Sequence, residues 1–326
     1  MKNVLFVVVP CYNEEECLRE TARKLGEKVN ALAANGYVSE TSKIVFVDDG
    51  SGDSTWDIVC ELCETSDICA GIGLSRNRGH QYALLAGLMA VKDEADMVIS
   101  IDADLQDDIN AIDIMVDNYI SGSEIVYGVR RSRKKDSFFK RATAEGYYKL
   151  LKALGCDIVF NHADFRLMSS RALEALSQYG EQSLFLRGLV PMLGFKTSIV
   201  EYDRGIRETG ESKYPTKRML ALALDGIVSL TLRPLRFVMA AGAIMLCLAF
   251  VLLIFSIVTV ISGQSMLNWK IVTISIWGVG GFLMLALGIV GEYVGRAYME
   301  VKLRPRFNIE KTVGLPNSSC KRPNVD

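Results

Sequence analysis

The chain has 326 residues, 50% hydrophobic and 23% charged, with a mean hydropathy of +0.21. That composition excludes a disordered chain, and 37 Lys+Arg against 38 Asp+Glu exclude the bulk basic field of a nucleic-acid binder, so no nucleic-acid partner is expected. Eight cysteines at irregular spacing exclude a disulfide scaffold, and Cys60-x-x-Cys63 lacks the second ligand pair of a structural zinc site.

In chain order, Val4–Val9 is a continuous apolar run, followed by Ile44–Val47, Gly71–Leu74, Val98–Ile101 and Ile125–Val129. These predict strands. The stretches Glu14–Ala34, Ser54–Thr65, Gln81–Val91 and Asn110–Ile120 between them predict helices. Continuous apolar strands alternating with helices imply an α/β domain over residues 1–213, its mostly parallel sheet covered on both faces. Ligands of such sheets bind beyond the carboxyl ends of the strands. Polar clusters sit at four of those ends: Pro10-Cys11-Tyr12-Asn13-Glu14, Asp48-Asp49-Gly50-Ser51, Ser75-Arg76-Asn77-Arg78-Gly79 and Asp102-Ala103-Asp104. No GxGxxG or P-loop pattern follows the first strand, which argues against a dinucleotide or P-loop site.

Asp102 and Asp104, two residues apart at a strand end, can offer oxygens to a hard divalent cation, Mg²⁺ or Mn²⁺, and Gln106 can add a carbonyl oxygen. Each acidic pair read alone is also compatible with a solvated turn, and Ser51, Asp53 or Ser54 with a plain helix cap. A dense set of cations, Arg130-Arg131-x-Arg133-Lys134-Lys135 and Lys140-Arg141, follows the fifth strand.

Residues 214–235 carry a broad apolar face with few charges, begin near Pro215 and end at Arg233-Pro234, which predicts an interfacial amphipathic helix. Phe237–Ile261 and Ile271–Gly291 contain no charged residue. A span needs roughly 20 apolar residues, so residues 236–295 predict a two-helix transmembrane hairpin joined by a short link. Basic residues flank it on both outer sides (Arg233 and Arg236, then Arg296, Lys302, Arg304 and Arg306), while the link carries only Lys270. The positive-inside rule then places both flanks, the α/β domain and both termini in the cytoplasm. Asn13-Glu14-Glu15-Glu16 after the first apolar stretch is unlike a signal peptide. Residues 296–326 read as a cytoplasmic tail, polar and loosely ordered from Thr312.

The strand-end motifs together resemble the family 2 glycosyltransferases with the GT-A fold. Asn77-Arg78-Gly79-His80-Gln81, Asp102-Ala103-Asp104-Leu105-Gln106-Asp107, Asp164-Phe165-Arg166-Leu167-Met168-Ser169 and Gly210-Glu211-Ser212-Lys213-Tyr214 are similar to the polyprenyl-phosphate branch. So are Pro234-Leu235-Arg236 and Gly291-Glu292-Tyr293-x-Gly295-Arg296. Ala163 and Arg78 depart from that pattern without removing a reactive group, and the Gln-x-x-Arg-Trp motif of processive synthases is absent.

The resemblance implies a metal-dependent, inverting transfer of one sugar from a nucleotide-sugar to a polyprenyl phosphate such as undecaprenyl phosphate, at the inner or plasma membrane. UDP-glucose is the favoured donor. UDP-N-acetylglucosamine, GDP-mannose and modified arabinose donors belong to close relatives, and a non-catalytic sensor or lipid translocator is the alternative of another class. Asp104, Asp164 and Arg166 are expected at the reaction centre, Asp164 either as a base or as a group orienting sugar hydroxyls. Pro10, Tyr12, Glu14, Asp48, Asp49, Ser51, His80, Gln81, Asp102, Ala103, Arg207 and Lys213 are expected to bind the nucleotide-sugar. Arg130 and Arg141 are expected at the acceptor phosphate, and Asp102, Asp104 and Gln106 at the metal. Two spans make a thin bundle, which suggests a homo-oligomer such as a tetramer.

Overall fold

A computed structural model of the chain describes residues 2–131, 162–181, 184–203 and 269–315. Eight strands among them form one sheet: β1 (Leu5–Cys11), β2 (Lys43–Asp48), β3 (Cys69–Leu74), β4 (Met97–Ser100), β5 (Ile125–Arg130), β6 (His162–Ser169), β7 (Thr197–Tyr202) and β8 (Ile309–Val313). The helices are α1 (Leu18–Ala34), α2 (Thr55–Thr65), α3 (His80–Val91), α4 (Ala111–Ile120), α5 (Ser170–Ser177), α6 (Leu186–Met192) and α7 (Trp269–Val301). The strand order is β7-β5-β6-β4-β1-β2-β3-β8.

The expected α/β architecture is present. β1 pairs in parallel with both β2 and β4, and β2 with β3. Alternate residues of β1 serve two cores: Leu5, Val7 and Val9 face α1, α2 and α4, while Phe6 and Val8 face α3, α5 and α6. Burial on both faces is why these strands carry no polar alternation. α1 turns Leu18, Ala22, Leu25, Val29 and Leu32 inward, at the spacing of one helical face. α3 lies close on the sheet because Gly87 has no side chain: a Cβ there would stand 2.5 Å from Val8 Cγ1 and 2.7 Å from Val47 Cγ2.

Three strands depart from the expected pattern. β6 is inserted antiparallel between β4 and β5, pairing Ser100 with Arg166 and Tyr127 with Arg166 on its two sides. β7 adds to the outer edge of β5 in parallel. β8 pairs antiparallel with β3, so Thr312 and Val313 belong to an ordered edge strand, which corrects the expectation of a loose tail from Thr312. Its sequence, Ile-Glu-Lys-Thr-Val, is short and charged, as edge strands commonly are.

Among the described residues no helix is long and apolar enough to cross a membrane. The expected interfacial helix at 214–235 and first span at 237–261 lie outside them. The expected second span falls in α7, which runs for 33 residues, although many of its side chains are outside the described set. Val272, Ile276, Val279, Leu283, Leu287, Val290 and Val294 are exposed along α7 at three- and four-residue steps, one continuous apolar stripe.

Candidate active site

Two loops at the carboxyl ends of β1 and β2 are tied together by hydrogen bonds. Asn13, in the left-handed region at φ 52°, donates its amide N–H to Ser51 Oγ at 2.9 Å, and its Oδ1 accepts from the Gly52 N–H at 2.9 Å. The Glu14 N–H donates to Thr55 Oγ1 at 2.9 Å. Behind them Asp48 accepts from the Ser51 N–H, and Asp49 accepts from the N–H groups of Arg78 and Gly79 at 2.7 and 2.8 Å. Both carboxylates are buried, and loss of solvation raises both above the ordinary aspartate range despite these bonds. Gly50, at φ 66°, lets the loop pass so close to the β3 loop that a Cβ would meet the Arg76 carbonyl carbon at 2.7 Å. Pro10 is buried in β1, Glu14 is partly buried and Tyr12 is exposed beside this corner.

The second centre lies one strand across, at the end of β4. Asp102 and Asp104 are half-buried, and Asp104 Oδ1 accepts from the Gln106 N–H at 3.2 Å. Ala103 is buried, its carbonyl accepting from Thr21 Oγ1 at 2.7 Å, which anchors the turn to α1. β6 brings Asp164 and Arg166 beside this turn, because Arg166 pairs with Ser100 in register. Arg166 is only 1% exposed and donates from one terminal nitrogen to Asp164 Oδ1 at 2.8 Å. Arg187, at the start of α6, grips both oxygens of Asp164 at 3.2 and 3.0 Å. His80 Nε2 stands 3.6 Å from Asp102 and 3.5 Å from Asp164, bridging the two carboxylates. Gln81 Oε1 accepts from the Leu186 N–H at 3.0 Å, fixing α6 next to α3.

The electrostatics of the two carboxylates diverge. Burial would raise Asp164, but Arg187, His80 and Arg166 outweigh it and hold the group ionised, well below the usual range. Asp102 is pushed up to about 6, first by loss of solvation and then by Asp107, Asp164 and Asp104, against which His80 is the opposing charge. A carboxylate crowded by carboxylates is a setting in which a bound cation is favoured. Among the described residues no group of three or more His, Cys, Asp or Glu converges as a complete ligand set. The donors present, two aspartates with Gln106 beside them, suit a hard cation that takes its remaining ligands from phosphate and water.

Arg130, expected at the acceptor phosphate, ends β5 with its guanidinium 3.1 Å from Asp107 Oδ1 and 3.4 Å from the Tyr202 hydroxyl. Asp107 is buried, accepts from the Tyr202 hydroxyl as well, and leaves Oδ2 without a partner. Arg141, Arg207 and Lys213 lie outside the described residues. The sequence reading missed Arg187, Asp107 and Tyr202 as members of this region. Asp107 stood inside a quoted motif, whereas Arg187 and Tyr202 lie in segments where no motif marked them.

Cys60, Cys63 and Cys69 form no disulfide, and burial pushes Cys63 up to about 12.

With this geometry in place, the likeness to known proteins is informative. Residues 6–177 match the profile of glycosyl transferase family 2. The chain is 48% identical over 307 residues to the uncharacterized glycosyltransferase YkoT of Bacillus subtilis (strain 168), covering 94% of this chain and 91% of that one. It is 36% identical over 312 residues to a prophage bactoprenol glucosyl transferase homolog of Escherichia coli (strain K12), covering 94% and 98%. Among solved structures, glucosyl-3-phosphoglycerate synthase from Mycobacterium tuberculosis is a distant likeness, with 17% identity, a TM-score of 0.44 and coverage of 70% and 78%.

Proposed function

The chain belongs to glycosyl transferase family 2, and we propose that it moves a single hexose, with inversion, from UDP-glucose to a polyprenyl phosphate at the cytoplasmic face of the cell membrane. The observation that carries this reading is the side-by-side arrangement of a carboxylate-lined corner at β1–β2 and an Asp102–His80–Asp164–Arg187 network at β4–β6. The first suits a nucleoside. The second combines acidic groups for a metal-bound diphosphate with cations for the anions that meet there.

The described residues then take roles that their surroundings support, and Arg141, Arg207 and Lys213 take theirs from the family resemblance. Asp48 and Asp49 accept hydrogen bonds from the nucleoside, with Pro10, Tyr12, Glu14 and Ser51 around them. Asp102 and Asp104 would hold Mg²⁺ or Mn²⁺, with Gln106 beside them. The ion would supply Lewis-acid stabilisation of charge on the departing diphosphate. Arg207 and Lys213 would cover the same diphosphate. His80 keeps Asp102 and Asp164 at a fixed separation. Asp164 is a poor proton acceptor, since three cationic groups hold it ionised. A phosphate monoester is already largely dianionic at neutral pH, its second pKa being about 6, so the acceptor needs no base. Asp164 instead orients sugar hydroxyls, and Arg166 and Arg187 hold it still. Arg130, with Arg141, would meet the acceptor phosphate.

The lipid acceptor is supported by the bactoprenol names of relatives at about one-third identity, by the uncharged runs Phe237–Ile261 and Ile271–Gly291, and by the exposed apolar stripe of α7. On this reading residues 214–235 lie along the membrane, the two runs cross it, and a homo-oligomer such as a tetramer packs the hairpins together.

The test is a donor screen. Purified protein in detergent is incubated with undecaprenyl phosphate, Mg²⁺ or Mn²⁺, and in turn UDP-glucose, UDP-N-acetylglucosamine and GDP-mannose. Lipid-linked sugar should form with UDP-glucose and vanish in Asp104→Ala. Absence of lipid product with every donor would overturn the transferase reading.

A further inference from the structure

β8 does more than finish a sheet edge. The register runs Asp48↔Gly73 between β2 and β3, and Gly73↔Lys311 between β3 and β8. Asp48, Gly73 and Lys311 therefore form one row across three strands. Cross-strand partners share a face, and two strand spacings separate the outer members by about 10 Å. The middle member has no side chain, and the ring of Trp56 packs into the place one would fill. A Cβ on Gly73 would lie 3.2 Å from that ring, and Lys311 Nζ stands 5.7 Å from its centroid, so Trp56 is an aromatic wall between Asp48 and Lys311. The result is a cavity of about 220 Å³, bordered by Asp48, Ser51, Trp56, Arg76, Glu310 and Lys311.

The docking of β8 is built into the sequence. A Cβ on Gly71 would lie 2.9 Å from Val313 Cγ1 and 2.4 Å from Val59 Cγ1, so only glycine admits both α2 and β8 at this place. The Ser75 N–H donates to the Asn308 carbonyl, Lys43 Nζ donates to the Gly314 carbonyl at 2.6 Å, and Arg306 donates to the Tyr179 carbonyl at 2.8 Å. The segment after α7 is thus fastened along the domain at several points.

The lining of the cavity selects its occupant. Two cations and two carboxylates line it together with an aromatic wall, which disfavours a bare anion and suits a neutral, flat, polar ring. A dry cavity of roughly 150 Å³ admits a benzene-sized molecule, so the space is sufficient for one heterocycle. A carboxylate on one side and an ammonium reaching in from the other can together meet a ring N–H and its adjacent carbonyl, the pattern of uracil and guanine. Cytosine and adenine present an unprotonated ring nitrogen beside an amine instead, which sets a lone pair against the carboxylate.

Resting on the transferase reading above, we propose that β8 completes the donor pocket and that Lys311 is a specificity-determining residue. It donates to the carbonyl of the donor's nucleobase while Asp48 accepts from the neighbouring ring N–H. The segment that follows the predicted hairpin would in this way take part in reading the nucleotide.

Binding of UDP, GDP, CDP, ADP and inorganic pyrophosphate to the full-length protein in detergent, measured calorimetrically with Mn²⁺, tests this. Wild type should prefer UDP or GDP over CDP and ADP. Lys311→Met should weaken the preferred nucleotide about tenfold, as loss of a charge-assisted bond does, narrow its margin over CDP, and leave pyrophosphate binding unchanged. Lys311→Arg should recover most of the preference. Unchanged nucleotide binding in a folded Lys311→Met protein would overturn the assignment, as would an equal loss for pyrophosphate, which would mean that Lys311 reads phosphate. If wild type binds none of the nucleotides, the transferase reading falls and the assignment falls with it.

Discussion

The two wings of the sheet hold their polar groups by different means. On the β1–β2–β3 side, buried Asp48 and Asp49 are met by backbone N–H groups, and the loops are pinned by Asn13, Ser51 and Thr55. On the β4–β6–β5 side, Asp164 and Asp107 are met by the side chains of Arg166, Arg187, His80, Arg130 and Tyr202. Backbone donors are fixed by the fold and keep this corner rigid, as the proposed nucleobase site would require. Side-chain cations can exchange partners, which suits a place where anions arrive, react and leave. The contrast teaches that the second wing is the more vulnerable to single substitutions, because each cation there compensates a buried negative charge.

The largest effect should come from breaking that compensation. Arg166→Met removes a fully buried guanidinium from Asp164 and should destabilise the domain by about 3–5 kcal/mol, seen as a lowered midpoint of thermal denaturation in detergent. An unchanged midpoint would mean that Arg187 and His80 suffice. Next, Arg187→Ala spares the core, since Arg187 is 39% exposed, yet it frees both Asp164 oxygens. It should lower kcat about 10–100-fold with little change in stability. Arg187→Lys should recover little of that rate, because an ammonium cannot grip both oxygens in the planar geometry of a guanidinium. A full recovery would reduce the role of Arg187 to charge alone.

The other wing is probed through its packing. Gly87→Ala forces a methyl against Val8 and Val47 and should cost about 1–3 kcal/mol, measured by the same denaturation. The smallest effect is chemical. With its thiol pushed up to about 12 by burial, Cys63 remains protonated at pH 8, so iodoacetamide should label it far more slowly in the native protein than after unfolding. Rapid native labelling would contradict the packed position on α2.

Much of the first wing was legible because β1 to β3 are continuous apolar runs that end in clustered polar residues. In the second wing β4 and β5 were legible in the same way, but β6 and the side chains that meet its Asp164 were not, and the reasons are physical. β6 reads His-Ala-Asp-Phe-Arg-Leu-Met-Ser, a strand whose Asp and Arg are buried as a pair, so hydrophobicity gives no warning of it. Arg187 lies on a short helix positioned by Gln81 from far along the chain, a contact that no local pattern encodes. β8 looked like tail because edge strands are short and charged. The available signal was on its partner, where Gly71 and Gly73 alternate in a strand and left open what they make room for.

Counting the UDP released from UDP-glucose per undecaprenyl phosphate supplied distinguishes transfer of one sugar to a lipid phosphate from every other outcome. Release should require the lipid, stop at one equivalent and be abolished in Asp104→Ala. Release without lipid, release that continues past one equivalent, or release retained in Asp104→Ala would contradict a single-sugar transfer to a lipid phosphate at this site.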